Sequence, residues 1–179
     1  MVNHLRAVLC LMGLLGLLPG IAQAQGLKVA LQADDGTYFA RCNGCQTTVN
    51  NKFPDTITTH VTSPTQGAYA QFELINVGNG KIALKADTGK FVGRCNGCIV
   101  NGAKPDFATV HVTDSKQAYA QFTPVPLANG KYGLKADTGK FLARCNGCSP
   151  GAKVPNQVAV HATDPNTEAY AQWSIIYLP

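Results

Sequence analysis

The stretch LKADTGKFVGRCNGC (84–98) occurs twice more in nearly the same form, as LQADDGTYFARCNGC (31–45) and LKADTGKFLARCNGC (134–148). Two shorter phrases follow each of them in the same order: first THVT, VHVT or VHAT, and then AYAQF or AYAQW. The period is about 50 residues, and a fixed period of this length indicates a repeat architecture. The chain is therefore a triplication of one unit, with copies at about 28–76, 77–126 and 127–179.

Each copy has the pattern of four short strands and no sustained helical period. Leucine-rich or β-branched runs are followed by Asp-Gly-type turns, which suit tight connections between strands. Asn79-Gly80 and Asn129-Gly130 are hairpin signals between successive copies. We place AYAQF and AYAQW in the fourth strand of each copy, so that the mature chain is all-β.

Three copies of four strands suggest a β-trefoil, in which six strands close a barrel and three hairpins cover one end. Closure removes the exposed strand edges that an open array would leave unpaired. A three-bladed propeller or an open array is the alternative, but propellers usually have at least four blades. The predicted architecture is a β-trefoil of three four-stranded repeats with pseudo-three-fold symmetry between Lys28 and Tyr177.

The LKADTGKFV and LKADTGKFL phrases, together with the AQF and AQW strands, resemble the fascin-like, or actin-crosslinking, β-trefoils over the whole mature chain. The resemblance implies the fold and a protein-interaction or filament-binding role, but it assigns no actin contact to a particular residue. The chain is more distantly similar to ricin-type β-trefoil lectins. That family has Gln-x-Trp, whereas Gln172 and Trp173 are adjacent here, so its sugar site does not carry over.

The amino terminus has the pattern of a secretory signal peptide. Arg6 precedes an apolar run from Ala7 to Leu18, and Ala22-Gln23-Ala24 supplies a small-x-small cleavage site. The run is shorter than the roughly 20 residues of a membrane-spanning helix. We predict cleavage after Ala24, giving a secreted or periplasmic domain of residues 25–179 without a membrane span.

The composition argues against nucleic-acid binding and against catalysis. The net charge of +5 falls to about +4 when Arg6 is removed, and the basic residues are scattered along the chain. There is no HExxH, GxSxG or P-loop motif. We therefore expect a non-catalytic protein that needs no cofactor. A monomer is expected, although the sequence does not determine the oligomeric state.

The mature chain keeps six cysteines, two in each CNGC turn (42–45, 95–98 and 145–148). The ends of a β-turn lie within disulfide range, and an exported protein meets an oxidising compartment. Local bridges are the leading interpretation. A zinc or copper(I) thiolate site and a redox-active pair are the alternatives. The predicted bridges are Cys42–Cys45, Cys95–Cys98 and Cys145–Cys148.

An arginine precedes each cysteine pair, and strand alternation places it on the same face as the core residues Phe39, Val92 and Leu142. A buried guanidinium needs a partner, so each arginine either reaches out at the strand end, pairs with an acid or carbonyl groups, or is redirected by a bulge. Another interpretation is a binding site for an anion or carboxylate. The arginines and their possible partners are Arg41, Arg94, Arg144, Asp34, Asp87 and Asp137.

The remaining repeated side chains complete the candidate site. Alternation directs His60, His111 and His161 outward, as surface histidines rather than metal ligands. We assign Tyr69, Tyr119 and Tyr170 to the core with Phe72, Phe122 and Trp173. Rings exposed next to the core residues are candidates for stacking on a ligand. The candidate ligand-binding residues are Arg41, Asn43, Arg94, Asn96, Arg144, Asn146, Tyr38, Phe91 and Phe141.

The function predicted from these features is binding without catalysis. The expected ligand is a carbohydrate or glycoconjugate, recognised at up to three equivalent sites near the CNGC turns. Three weak sites on one rigid body gain avidity when the target repeats. A fascin-like role in protein interaction and a metal or redox role for the cysteine pairs are the alternatives.

Overall fold

The computed structural model describes residues 26–179, and the predicted signal peptide lies outside these residues. The described chain is all-β and contains twelve strands, as the sequence predicts. The strands are β1 (Leu27–Gln32), β2 (Tyr38–Asn43), β3 (Asp55–Val61), β4 (Phe72–Gly78), β5 (Lys81–Lys85), β6 (Phe91–Asn96), β7 (Asp106–Val112), β8 (Thr123–Pro126), β9 (Tyr132–Lys135), β10 (Phe141–Asn146), β11 (Asn156–Ala162) and β12 (Ser174–Tyr177).

Six of the twelve strands, β1, β4, β5, β8, β9 and β12, form a closed ring. β1 pairs with both β12 and β4, β4 pairs with β5, and β8 pairs with β9. Two single bridges join these groups, from Ile82 to Phe122 and from Tyr132 to Trp173. Because the pairings return to β1, the ring has no free strand edge.

The other strands form three hairpins, β2–β3, β6–β7 and β10–β11, which we call the cap. The hairpins pair in the same register, since Phe39 faces Thr59, Val92 faces Val110 and Leu142 faces Val160. β3, β7 and β11 also pair with one another, which brings the three copies together. Each CNGC turn lies at the end of a cap hairpin, between its two strands.

The core lies inside the ring and beneath the cap. Its buried side chains come from equivalent positions of the copies, as the alternation of apolar and polar residues predicts. Phe39 packs edge-to-face on Phe72 and on Trp173. The repeated members are Leu31, Leu84, Leu134, Phe39, Val92, Leu142, Phe72, Phe122 and Trp173.

The AYAQ segments differ from the prediction. Each AYA forms a 3-10 turn, and the strand begins only after it, at or just beyond the aromatic residue that enters the core. In this turn the alanine after the tyrosine is buried, while the tyrosine side chain lies at the surface, half-buried. The assignment of Tyr69, Tyr119 and Tyr170 to the core was therefore wrong, whereas that of Phe72, Phe122 and Trp173 is confirmed.

Candidate functional site

The three CNGC turns are closed by the local disulfides that the sequence predicts: Cys42–Cys45, Cys95–Cys98 and Cys145–Cys148. The Cα atoms of each pair lie 5.6, 5.7 and 5.6 Å apart. The glycine of each turn has a φ of 65–67°, which a residue with a Cβ adopts only with strain. Sulfurs bridged in this way do not offer the thiolates that a zinc or copper(I) site requires.

The three turns are also tied to one another, which the sequence analysis did not foresee. The carbonyl of Cys45 accepts a hydrogen bond from the Lys153 amide (2.8 Å). In the same way Cys98 accepts one from Val49 (2.9 Å). Cys148 accepts one from Ala103 (2.7 Å), so each copy supports the turn of the next. The second cysteine of each turn is buried, and the turns therefore form one connected ring rather than three independent tips.

The arginines form a second connection between copies. Each guanidinium makes two hydrogen bonds to the carboxylate of one aspartate in the next copy, and the third copy returns to the first. The bonds are 2.6–2.9 Å long. The aspartates are those named as possible partners from the sequence. The pairs are Arg41–Asp87, Arg94–Asp137 and Arg144–Asp34.

The third guanidinium nitrogen and the CNGC asparagine share one acceptor within their own copy. Arg94 and Asn96 both donate to Asp106 Oδ1, at 2.8 and 2.9 Å. Arg41 and Asn43 bind Asp55 in the same manner. In the third copy the acceptor is an asparagine instead of an aspartate: Arg144 and Asn146 both donate to Asn156. These predicted ligand-binding side chains are thus engaged by partners inside the protein.

Ion pairing lowers the pKa values of the three aspartates that bind the arginines. The hydrogen bonds from Arg94 hold the pKa of Asp137 below its usual value, and Arg41 does the same to the pKa of Asp87. Arg144 lowers the pKa of Asp34 in the same way. The three carboxylates therefore stay ionised at neutral pH and satisfy the guanidinium groups.

The three histidines occupy a position that alternation alone does not predict. In the register of each cap hairpin, the histidine is the extra residue of a β-bulge, because Tyr38 faces Val61 while Phe39 faces Thr59. A bulge redirects its side chain. Each imidazole lies half-buried and parallel to the tyrosine ring of the same copy, with ring centroids 5.7–6.3 Å apart. The pairs are His60–Tyr69, His111–Tyr119 and His161–Tyr170.

Burial keeps these histidines uncharged at neutral pH, since desolvation lowers the pKa of His60, His111 and His161. The Nδ1 atoms of His60 and His111 each lie 2.7 Å from a threonine hydroxyl of the same strand. The histidine–tyrosine pairs were missed from the sequence, although both residues recur in every copy. A neutral ring pair of this kind presents an aromatic surface that carries polar groups at its edge.

The aromatic residues predicted to be exposed are less accessible than expected. Tyr38 and Phe91 are half-buried, and Phe141 is only 7% exposed. Phe141 packs against Ala143, Ala162 and Ala171, below the 3-10 turn of its copy. The prediction of an exposed ring was wrong for Phe141, which is enclosed by these alanines.

A groove of about 340 Å³ lies beside the third CNGC turn and brings several predicted residues together. His161 and Tyr170 form one wall, and Lys104 of the second copy enters from the neighbouring hairpin. We call this the His161 groove. Its lining residues are Lys104, Arg144, Cys145, Asn146, Cys148, His161 and Tyr170. A larger groove of about 460 Å³ contains the Glu73–Lys85 ion pair but none of the predicted ligand-binding residues.

Within residues 26–179, no three side chains of histidine, cysteine, aspartate or glutamate lie close enough together to hold a metal ion. The same residues include no helix of the length and apolarity needed to cross a bilayer.

Comparison with solved structures shows the fold. The chain is similar to a designed three-fold symmetric protein, ThreeFoil, with a TM-score of 0.63 and 21% identity, over 84% of this chain and 99% of that one. It is also similar to a lectin of Polyporus squamosus bound to the epitope Neu5Acα2-6Galβ1-4GlcNAc, with a TM-score of 0.59 and 14% identity. That match covers 86% of this chain and 50% of the lectin.

A third similar structure is a GlcNAcα1-4Gal releasing endo-β-galactosidase of Clostridium perfringens, with a TM-score of 0.56 and 13% identity over 86% of this chain and 33% of that one. The structural neighbours are β-trefoil-like proteins. The chain matches no protein-family model, and no curated protein matches it. At these identities the similarity shows the fold alone.

Each disulfide bridge is expected to make a modest contribution to the free energy of unfolding. Each closes a ring of four residues, for which the chain-entropy model gives about 2 kcal/mol, less than for a longer loop. We expect the double variant C95S/C98S to unfold at lower urea concentration by about that free energy while keeping the far-ultraviolet circular dichroism of a β protein. The variant C145S/C148S provides the matched measurement in another copy. Loss of the whole fold in both variants would show that the cysteines carry more than the turns.

Proposed function

We propose that this protein is an exported, non-catalytic β-trefoil of three four-stranded repeats that binds carbohydrate or glycoconjugate in grooves beside its CNGC turns. The observation that carries the proposal is the His161 groove, where a parallel histidine–tyrosine pair lies beside a lysine and an asparagine. Export accords with the signal-peptide pattern and with three disulfides.

The groove has the two properties that saccharide binding needs. A sugar ring has an apolar face of C–H groups, which packs on an aromatic surface, and a rim of hydroxyl groups, which need hydrogen-bond partners. The aromatic surface is the Tyr170–His161 pair. Polar groups at its edge come from Lys104 and Asn146. Pockets that combine apolar walls with a few polar groups are the usual form of a small-ligand site.

The arrangement also explains how the site keeps its shape. The CNGC turns are held by disulfides, by the arginine–aspartate ring and by hydrogen bonds between copies. Rigid walls lower the entropic cost of binding a flexible saccharide. Under this proposal Arg41, Arg94 and Arg144 hold the turns in place through their aspartates, and Arg144 also lines the His161 groove.

Similarity to a lectin with a bound trisaccharide epitope and to an endo-β-galactosidase that releases GlcNAcα1-4Gal supports the choice of ligand class. Fold alone does not determine function. The fascin-like resemblance remains a prediction, and the cytolethal distending toxins of Haemophilus ducreyi and Actinobacillus actinomycetemcomitans share the fold as well.

A glycan array followed by calorimetry tests the proposal. We expect the mature protein to bind a subset of glycans, and Tyr170→Ala to weaken the affinity about tenfold or more by removing the stacking surface. Tyr177→Ala is the matched control, because Tyr177 is 65% exposed and lies outside the groove. Absence of binding to any glycan, or equal losses in the two variants, would contradict the proposed site.

A further inference from the structure

The three histidine–tyrosine pairs are not in equivalent surroundings, because one neighbouring position differs between the copies. We call the loop between the two strands of a cap hairpin the cap loop. The residue before the last proline of each cap loop is Phe53, Lys104 or Val154. Each cap loop supports the CNGC turn of the next copy through a backbone hydrogen bond. The difference in one copy therefore changes the groove of the following copy.

In the second copy the pair is covered. The ring of Phe53 packs edge-on against the imidazole of His111, with centroids 5.2 Å apart. The amine of Lys52 lies 5.5 Å from the centre of the same phenylalanine ring. Phe53 thus lies directly against the imidazole of the His111–Tyr119 pair and reduces the space for a ligand there.

In the third copy the equivalent residue is Lys104, and the groove is open. Lys104 lines it together with His161 and Tyr170. Among residues 26–179, no carboxylate lies within ion-pair distance of the Lys104 amine. Its positive charge is therefore available to a ligand.

The other charged groups near this groove are already satisfied. Arg144 is neutralised by Asp34, 2.7 Å away, and by Asp35 at 3.5 Å. Glu168 accepts hydrogen bonds from the Tyr170 hydroxyl (2.8 Å) and from the amides of Thr163 and Asp164. His161 is uncharged, because burial lowers its pKa. Among the residues that line the groove, Lys104 is the cation without a carboxylate partner, and Lys140 lies near enough to His161 to contribute to the lowering of its pKa.

In the first copy the equivalent position is Val154, so His60 has no charged residue there. The adjacent Lys153 has its amide bonded to the Cys45 carbonyl, and its amine lies beside the turn glycine Gly44. The surroundings of the three pairs thus differ: Val154 stands at this position for His60, Phe53 packs against His111, and Lys104 lines the groove at His161.

We propose that the His161 groove is the principal ligand site and that it takes an acidic saccharide, with a carboxylate or sulfate group bound by Lys104. The inference rests on the proposed function and replaces three equivalent sites by one selective site. An anion paired with an ammonium group makes a charge-assisted hydrogen bond, which is stronger than a neutral one. The sugar ring packs on Tyr170 while the acidic group reaches across the groove to the lysine.

Calorimetry of the mature protein tests the inference with three probes of matched length. They are a sulfated heparin tetrasaccharide, a tetragalacturonate and a neutral galactose tetrasaccharide. We expect one site per chain for an acidic probe and weaker binding of the neutral one. Lys104→Gln should lower the acidic affinity about tenfold and leave the neutral affinity within about twofold. Lys52→Gln, at an exposed lysine on another cap loop, is the matched control and should bind as the wild type does.

The substitution Phe53→Lys is the complementary test, since it uncovers His111 and supplies a lysine at the same position. We expect it to raise the stoichiometry for the acidic probe from one site to two. Comparison of the sulfated and carboxylated probes identifies which acid the groove prefers. Thermal unfolding of each variant establishes that it is folded before binding is measured.

The outcomes separate this inference from the proposed function. If glycans bind and Tyr170→Ala abolishes the binding, but Lys104→Gln binds acidic probes like the wild type, the acidic preference is wrong while the carbohydrate site stands. If no glycan binds to the wild type, on the array or in solution, both are wrong. Weakening of the acidic binding by added salt in the wild type but not in Lys104→Gln would support the charge contact.

Discussion

Replacement of Trp173 by alanine is expected to lower the free energy of unfolding by about 3–5 kcal/mol, as large-to-small substitutions of buried aromatic residues do. Trp173 is fully buried and packs edge-to-face on Phe39 at 5.5 Å. Its indole nitrogen donates to the Leu142 carbonyl, which joins the ring to the cap. Alanine would leave a cavity and an unpaired carbonyl at the same place. Urea unfolding followed by fluorescence and circular dichroism measures the loss.

Trp173→Phe is the matched control, because the other two copies have Phe72 and Phe122 at this position. The phenylalanine fills most of the volume and loses only the hydrogen bond to Leu142 and part of the contact area. We expect a cost of about 1–2 kcal/mol. If Trp173→Ala costs no more than Trp173→Phe, the core does not depend on this residue as the packing indicates.

Arg94→Met is expected to destabilise the protein by about 2–4 kcal/mol at neutral pH. Removal of one partner leaves the carboxylates of Asp137 and Asp106 desolvated and without their cation, which is costlier than the pair was worth. The side chains are largely withdrawn from solvent, at 18% exposure for Arg94 and 22% for Asp137. Because the pair keeps this partial exposure, the expected loss of stability is smaller than for a fully buried ion pair.

The pH dependence of the Arg94 effect identifies its cause. The pKa of Asp137 is depressed in the folded protein, so its pairing contributes stability above the unfolded value of about 3.9 and loses it as pH falls through the folded value. The difference between wild type and Arg94→Met should therefore be largest at neutral pH and shrink below about pH 4. Lys90→Met, at an exposed lysine four residues before Arg94, is the control. A difference that persists unchanged at pH 3 would mean that packing, not charge, explains the loss.

The sequence was sufficient for those parts of the structure that a short motif, or the elementary requirement of one side chain, indicates. Alternation placed Phe39, Val92 and Leu142 in the core, and the requirement that a shielded guanidinium have a partner led to the aspartates of the Asp-Gly turns. The spacing of the cysteines and the Asn-Gly between them indicated the local bridges. Each of these features could be predicted from the chemistry of the residues in one short motif.

The features that the sequence did not reveal depend on two segments at once. The hydrogen bond from Lys153 to Cys45 joins backbone groups, which have no residue signature. The bulge at His161 depends on the register between β10 and β11, which alternation along one strand does not reveal. The 3-10 turn at Tyr170 interrupts what reads as a strand. The histidine–tyrosine pairs, and with them the proposed site, arise from both effects.

The arginine–aspartate contacts run in one direction around the molecule, and this has a consequence for how it unfolds. A linear array of repeats has two ends, from which unfolding can begin and spread one unit at a time. Here Arg144 of the last copy holds Asp34 of the first, so no copy is terminal. Loss of any copy deprives both of its neighbours of a counterion. We therefore expect the three units to unfold together, so that a molecule assembled from one repeated sequence unfolds as a single cooperative unit.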